Sequence, residues 1–230
     1  MSRSKKLKCD LHTCSMCLGC QSAWLGAIDA NRKMLHFKKG GQLFKEGDPM
    51  TGMYFIYSGL VKVHKQWGDD KELIVRFAKQ GAIVGHRGLG NETIYPVSAT
   101  ALSTTEICFV DLNFFIATLK VNPQYLFDLM MFFASELKES ERRMRNLAHM
   151  STKGRIGQAL LTLFDKFGVT PDGLINIDIS RQDLASYSGT TYETLFKMLN
   201  EFVEEKLINL DGRNIQILDQ KGLVKCTAER

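Results

Sequence analysis

From Gln124 to Ala148 the chain holds no glycine or proline, and apolar residues fall at Leu126, Met130, Phe133, Leu137, Met144 and Leu147. With Ser140 filling the one gap, the steps alternate four and three, which is an a/d heptad seam over three repeats. Pro123 suits the first turn of such a helix. So narrow an apolar stripe needs a partner helix, most simply its own copy, so the pattern predicts a homodimer. The same helix divides the chain into two regions of different texture.

Upstream, about Arg32 to Val110 reads as short strands punctuated by glycines. Tyr54-Phe55-Ile56-Tyr57, Leu60-Val61-Lys62-Val63 and Leu73-Ile74-Val75-Arg76-Phe77 are rich in β-branched and aromatic residues. Gly47-Asp48-Pro49 and Gly68-Asp69-Asp70 supply turn chemistry between them. Many short strands in this arrangement predict a compact barrel or roll.

Downstream of Ser151 a helix is expected over Arg155–Phe167, broken by Gly168-Val-Thr-Pro-Asp-Gly173. Ser180 then caps Arg181–Tyr187, Ser188-Gly189-Thr190 turns, and Thr191 caps a helix to about Lys206. Two short helices joined by a glycine-containing turn form a helix-turn-helix. Leu207–Leu210 and Asn214–Ile217 flank Asp211-Gly212, a strong hairpin signal, so the unit is a winged helix-turn-helix. The fold class is α+β.

On the second of these helices Leu195, Met198, Leu199 and Phe202 share one face, which should pack on the domain core. The opposite face carries Glu193, Lys197, Asn200 and Glu204, with Phe196 at its edge. Lysine can address guanine, asparagine adenine, glutamate the cytosine amino group, and an aromatic ring a thymine methyl. A solvated helix face would look the same in isolation; the preceding turn and following wing favour double-stranded DNA. Arg181, Thr191, Tyr192 and Arg213 complete the candidate DNA contacts.

Six cysteines occur, four of them (Cys9, Cys14, Cys17 and Cys20) within twelve residues. Four thiols that close suit a tetrahedral thiolate site better than a core. With no secretory segment behind the basic start, a metal or redox role outranks a disulfide framework. Cys9, Cys14 and Cys17 have the plant-type 2Fe–2S spacing, whereas Cys14, Cys17 and Cys20 open like a bacterial 4Fe–4S run; a four-thiolate zinc site fits as well. Cys108, between Ile107 and Phe109, reads by itself as a buried apolar filler, and Cys226 as a bystander. His12 lies inside the cysteine run and reads as a solvated loop residue. His36 and His64 look like strand surface or edge residues.

The formal charge of +5 is compatible with nucleic acid without demanding it. From Ser151 onward ten basic face eleven acidic residues, so any DNA contact there depends on local placement. No stretch approaches the length of a membrane span, and the expected location is the reducing cytoplasm. No nucleophile–base constellation or phosphate-cradling loop appears, so no enzyme is expected.

Along nearly its whole length the chain resembles the CRP/FNR superfamily of bacterial transcription regulators. Gly41-Gln-Leu-Phe-Lys-Glu-Gly-Asp48, Tyr54-Phe-Ile-Tyr-Ser-Gly59-Leu-Val-Lys-Val63 and Gly81-Ala-Ile-Val-Gly85 look like its cyclic-nucleotide-type β-roll. The seam helix matches its dimerisation helix. Arg181-Gln-Asp-Leu-Ala-Ser-Tyr187 and Thr191-Tyr-Glu-Thr-Leu-Phe-Lys197 match its helix-turn-helix.

This order implies a cysteine-rich segment over 1–22, a β-roll over 23–120, a dimerisation helix over 121–150 and a winged helix-turn-helix over 151–230. It also implies RNA polymerase as a further partner. The cysteines resemble the oxygen-sensing FNR branch, in which N-terminal cysteines and one on the roll hold a 4Fe–4S cluster. That resemblance implies Cys14, Cys17, Cys20 and Cys108 as ligands, with Cys9 competing for the fourth place.

Three departures from the family matter. Cyclic-AMP-binding members carry Glu and Arg-Ser in a phosphate cassette, where this chain has Gly85-His86-Arg87 and Tyr95-Pro-Val-Ser-Ala99. Arg87 offers a displaced substitute for the missing cation, but classical cyclic-nucleotide binding is not expected. Phe196-Lys197 replaces the Ser-Arg pair typical of FNR, and lysine cannot reproduce a bidentate arginine. The Cys17–Cys20 spacing is also tighter than the family's.

Overall fold

The computed structural model describes residues 14–68 and 71–228. Cys9 and His12 lie outside them. The chain divides into two compact units, one of residues 1–66 and 75–135, the other of residues 67–74 and 136–230.

Up to Asp111, α1 (Ser15–Gly19), a single 3-10 turn (Ser22–Trp24) and α2 (Leu25–Asn31) lead into the strands β1 (Arg32–Phe37), β2 (Gln42–Phe44), β3 (Gly52–Ser58), β4 (Val61–Trp67), β5 (Lys71–Ala78), β6 (Ile83–Val84), β7 (Ser98–Ala101) and β8 (Thr105–Asp111). They form two four-stranded sheets, ordered β1-β8-β3-β6 and β2-β7-β4-β5. Inward residues of both fill one core that includes Phe55, Val61, Ile107 and Val110. The β3–β4 connection passes through Gly59 at φ +95, where a Cβ would meet the Thr104 carbonyl oxygen at 2.7 Å. Only glycine fits that backbone.

Cys108 sits in the middle of β8, opposite Met34 of β1 and Phe55 of β3. It is buried, as an apolar filler would be. His64 corrects the sequence reading: it is buried, with Nε2 2.9 Å from Thr100 Oγ1. It lies on a strand whose Val61 and Val63 point into the core, and the hydroxyl across the β4–β7 ladder gives the ring a polar partner that makes burial tolerable.

After β8, Asp111 caps α3 (Leu112–Val121) by accepting from the Asn113 amide at 2.9 Å. Helix α4 (Pro123–His149) follows. Leu126, Met130, Leu137 and Met144 of its seam are exposed, as an unpaired a/d stripe should be. Phe133 departs from the stripe: with Phe132 it packs against the roll core and the ring of His86.

The second unit continues with α5 (Thr152–Phe167), α6 (Arg181–Ser188), α7 (Tyr192–Glu204), the hairpin β9 (Ile208–Asp211) and β10 (Asn214–Ile217), and α8 (Gln220–Ala228). Helix α5 starts three residues earlier than the sequence suggests, because Ser151 accepts from the Gly154 amide. Helix α8, where Leu223 and Cys226 are buried, is an element the sequence reading did not anticipate. Around α7 the core is Ile156, Leu160, Leu184, Leu195, Leu199 and Phe202.

Candidate metal centre and nucleic-acid interface

The α6–α7 pair is built by local chemistry. Ser180 and Asp183 form a reciprocal capping box at the start of α6. Gly189 ends the helix in the left-handed region (φ +66, ψ +43), and a Cβ there would lie 2.5 Å from Leu147 Cδ2. Thr191 then caps α7, its hydroxyl accepting from the Thr194 amide at 3.3 Å. The turn is tight because each terminus is satisfied by a residue at the required spacing.

Leu195, Leu199 and Phe202 are buried, while Tyr192, Glu193, Phe196, Lys197, Asn200 and Glu204 are exposed. The helix thus presents the polar and aromatic face that its sequence pattern predicted. Phe196, 56 % exposed, is the unusual member: a large ring on a solvated face leaves apolar area uncovered.

Arg181 is only partly available. One Nη donates to the Gly212 carbonyl at 3.1 Å, fixing the start of α6 to the turn of the wing, and burial lowers its pKa. Arg213 in that turn is exposed and stands 3.9 Å from Asp178. Arg143, which the sequence reading did not single out, donates from Nη2 to Tyr187 O at 2.8 Å and Ile74 O at 3.0 Å, with its guanidinium over the Tyr187 ring. It holds the C-terminal carbonyl end of α6 from α4.

The thiols occupy the other unit. Cys14 and Cys17 are buried and Cys20 is partly exposed. Long-range bonds hold their segment against the α3–α4 junction: the Gln21 amide donates to Asn122 Oδ1 at 2.9 Å, and Trp24 Nε1 donates to Thr118 Oγ1 at 3.1 Å. Trp24 also stacks on Phe114, with 6.0 Å between centroids. A Cβ on Gly19 would meet the Tyr125 ring at 2.4 Å, so the backbone there lies directly on Tyr125.

Burial, and then the neighbouring Cys14, push the Cys20 thiol up to about 11. Burial also raises the Tyr125 phenol well above its ordinary range, reinforced by Cys14, Cys20 and Cys17 in that order and opposed by Ser15. Three thiols thus act electrostatically on one buried phenol, in a place that resists negative charge. A bound cation reverses that penalty by turning thiols into ligand thiolates.

Among the described residues no three His, Cys, Asp or Glu side chains stand together as a set that holds a metal ion. Cys108 belongs to the same core cluster as Cys14 and Cys17. The donor chemistry, all soft sulfur, suits iron–sulfur or zinc. Among the described residues, two enclosed hydroxyls beside these thiols, Ser15 Oγ and Tyr125 Oη, find no partner of good hydrogen-bond geometry. Cys226 lies in α8, in the other unit.

A roll of the cyclic-nucleotide type followed by a winged helix-turn-helix defines a class of ligand- or signal-responsive DNA-binding regulators. Residues 34–122 match the cyclic nucleotide-binding domain and residues 154–226 the Crp-like helix-turn-helix domain. The chain is 30 % identical over 208 residues to the anaerobic regulatory protein of Bacillus subtilis, covering 89 % of this chain and 86 % of that one. It is also 30 % identical over 178 residues to the cAMP-activated global transcriptional regulator CRP of Pasteurella multocida, covering 76 % and 85 %. The fold of FixK2 from Bradyrhizobium japonicum superposes with a TM-score of 0.77 at 22 % identity, over 86 % of this chain and 98 % of that one. The chain belongs to the CRP/FNR family of transcription regulators. It is a DNA-binding regulator and not an enzyme.

No helix among the described residues is long and apolar enough to cross a membrane.

Proposed function

We propose that this regulator acts as a homodimer on double-stranded DNA and that an iron–sulfur cluster, of the 4Fe–4S type, sets its affinity in response to oxygen, nitric oxide or redox state. Cys14, Cys17 and Cys20 would be ligands, with Cys108 or Cys9 completing the set. Bound there, the cluster supplies an oxidant-labile centre whose loss releases thiolates. The observation that carries the reading is the docking of the thiol segment on the α3–α4 junction through Gln21, Trp24 and Gly19. A change at the thiols there acts directly on the first turn of the seam helix.

The dimer reading is supported by the exposed stripe Leu126, Met130, Leu137 and Met144. Two copies joined there would present two recognition helices to successive turns of the major groove. Arg181, Thr191, Tyr192, Glu193, Phe196, Lys197, Asn200 and Arg213 are the proposed DNA contacts. RNA polymerase is the further partner the family suggests.

A second reading keeps the DNA function and replaces the cluster by a zinc staple, with a small molecule in the roll as signal. It is favoured by the cAMP-activated relative. Against it, His86, beside the cassette position, is buried against Phe132 and Phe133 at 5.0 and 5.4 Å, and offers a cyclic phosphate no open cationic site.

Anaerobic purification with iron, sulfide and zinc analysis separates the two. A brown protein with about four irons and four sulfides per chain that bleaches in air supports the cluster. A colourless protein with equimolar zinc supports the staple.

A further inference from the structure

Tyr125 stands in the first turns of α4, is 3 % exposed, and its hydroxyl is enclosed without a hydrogen-bond partner. The Ser15 hydroxyl is in the same condition. The two are close enough for Ser15 to affect the phenol, yet neither makes a sound hydrogen bond. A buried hydroxyl without a partner costs about 1–3 kcal/mol, and native interiors rarely leave one. Two together, beside Cys14, Cys17 and Cys20, mean that an acceptor belongs there.

A neutral thiol is a weak acceptor. A metal-bound thiolate or a bridging sulfide carries negative charge and accepts strongly from O–H donors. The rest of Tyr125 is fixed: its ring meets Phe115 edge-on at 6.3 Å and bears on the backbone at Gly19. The ring is thus held between Phe115 and the backbone of the cysteine segment.

We infer that Tyr125, seconded by Ser15, is a positioning residue that donates a hydrogen bond to a sulfur of the metal–thiolate centre and ties that centre to the first turns of α4. The inference rests on the cluster reading and adds to it the physical link from centre to seam helix. A hydrogen bond to a ligand sulfur draws off negative charge and slows loss of the metal. When the centre is lost the donor loses its acceptor, and the segment loses a tie that Gln21 and Trp24 do not replace.

The test uses the full-length chain, reconstituted anaerobically with iron and sulfide, and Tyr125→Phe, which keeps the ring and removes only the hydroxyl. The readouts are the half-life of cluster absorbance against the iron chelator ferrozine and the Fe–S stretching bands in resonance Raman spectra. Tyr125→Phe should take up the same iron, lose it about tenfold faster and show shifted bands. Ser15→Ala should change both in the same direction by less. A variant matching the wild type in half-life and bands overturns the inference while leaving the cluster reading intact. A wild-type chain that takes up no iron overturns the reading and the inference with it. Should Tyr125→Phe fail to fold, Ser15→Ala decides by the same criteria.

Discussion

Helices α5, α6 and α7 each begin with a side chain that accepts from their own first turn: Ser151, Ser180 and Thr191. In the cysteine segment α1, the turn Ser22–Trp24 and α2 have no side-chain cap at all. The DNA-reading unit is determined by residues three or four apart. The thiol segment is held by Asn122 and Thr118, about a hundred positions away, and keeps two hydroxyls unsatisfied. Short-range caps place the helices of one region, while long-range side-chain bonds hold the other.

The largest effect that sharpens the contrast is at Phe202, fully buried under α7. Phe202→Ala should cost about 3–5 kcal/mol, read in denaturant unfolding. If the comparison holds, it leaves metal uptake at the thiols unchanged. Lys197→Ala should weaken specific DNA binding by about 1–3 kcal/mol without altering unfolding, because its side chain is exposed. An unchanged affinity removes Lys197 from base contact.

Ser180→Ala removes one half of the capping box and should cost about 1 kcal/mol of stability. A smaller loss would mean that the Leu184 packing, not the cap, places α6.

The smallest expected effect is a pH dependence of the metal-free chain. Cys20 is held at about 11 against an ordinary 9.0. Between those values the unfolded chain gives up a proton that the folded chain keeps, so rising pH favours unfolding. The stabilisation is full below 9.0 and is lost toward 11. The denaturant midpoint should fall across that window, and Cys20→Ser should flatten the fall.

The same division explains what the sequence made legible. The strand-and-turn roll, the seam helix and the helix-turn-helix each write their signal locally: Gly47-Asp48-Pro49 between strands, a 4-3 spacing, Ser180 ahead of Arg181–Tyr187. The exposed face of α7 followed from periodicity alone. His64, Phe133 and α8 did not. Their burial depends on partners remote in sequence, and alternation or heptad counting does not see Thr100 across a ladder or a roll packed on α4. Tyr125, Asn122, Thr118 and Trp24 were missed for the same reason: nothing in their spacing points to the cysteines.

The most direct measurement of the central claim compares DNA affinity in the two states of the thiol segment. A DNA duplex selected from a random pool by the anaerobic protein would be titrated at fixed salt, by fluorescence anisotropy, with reconstituted and with air-bleached protein. The reconstituted form should bind at least about tenfold tighter, or about 1.4 kcal/mol. Equal affinities, with iron and sulfide demonstrably present in one sample and absent from the other, would contradict it.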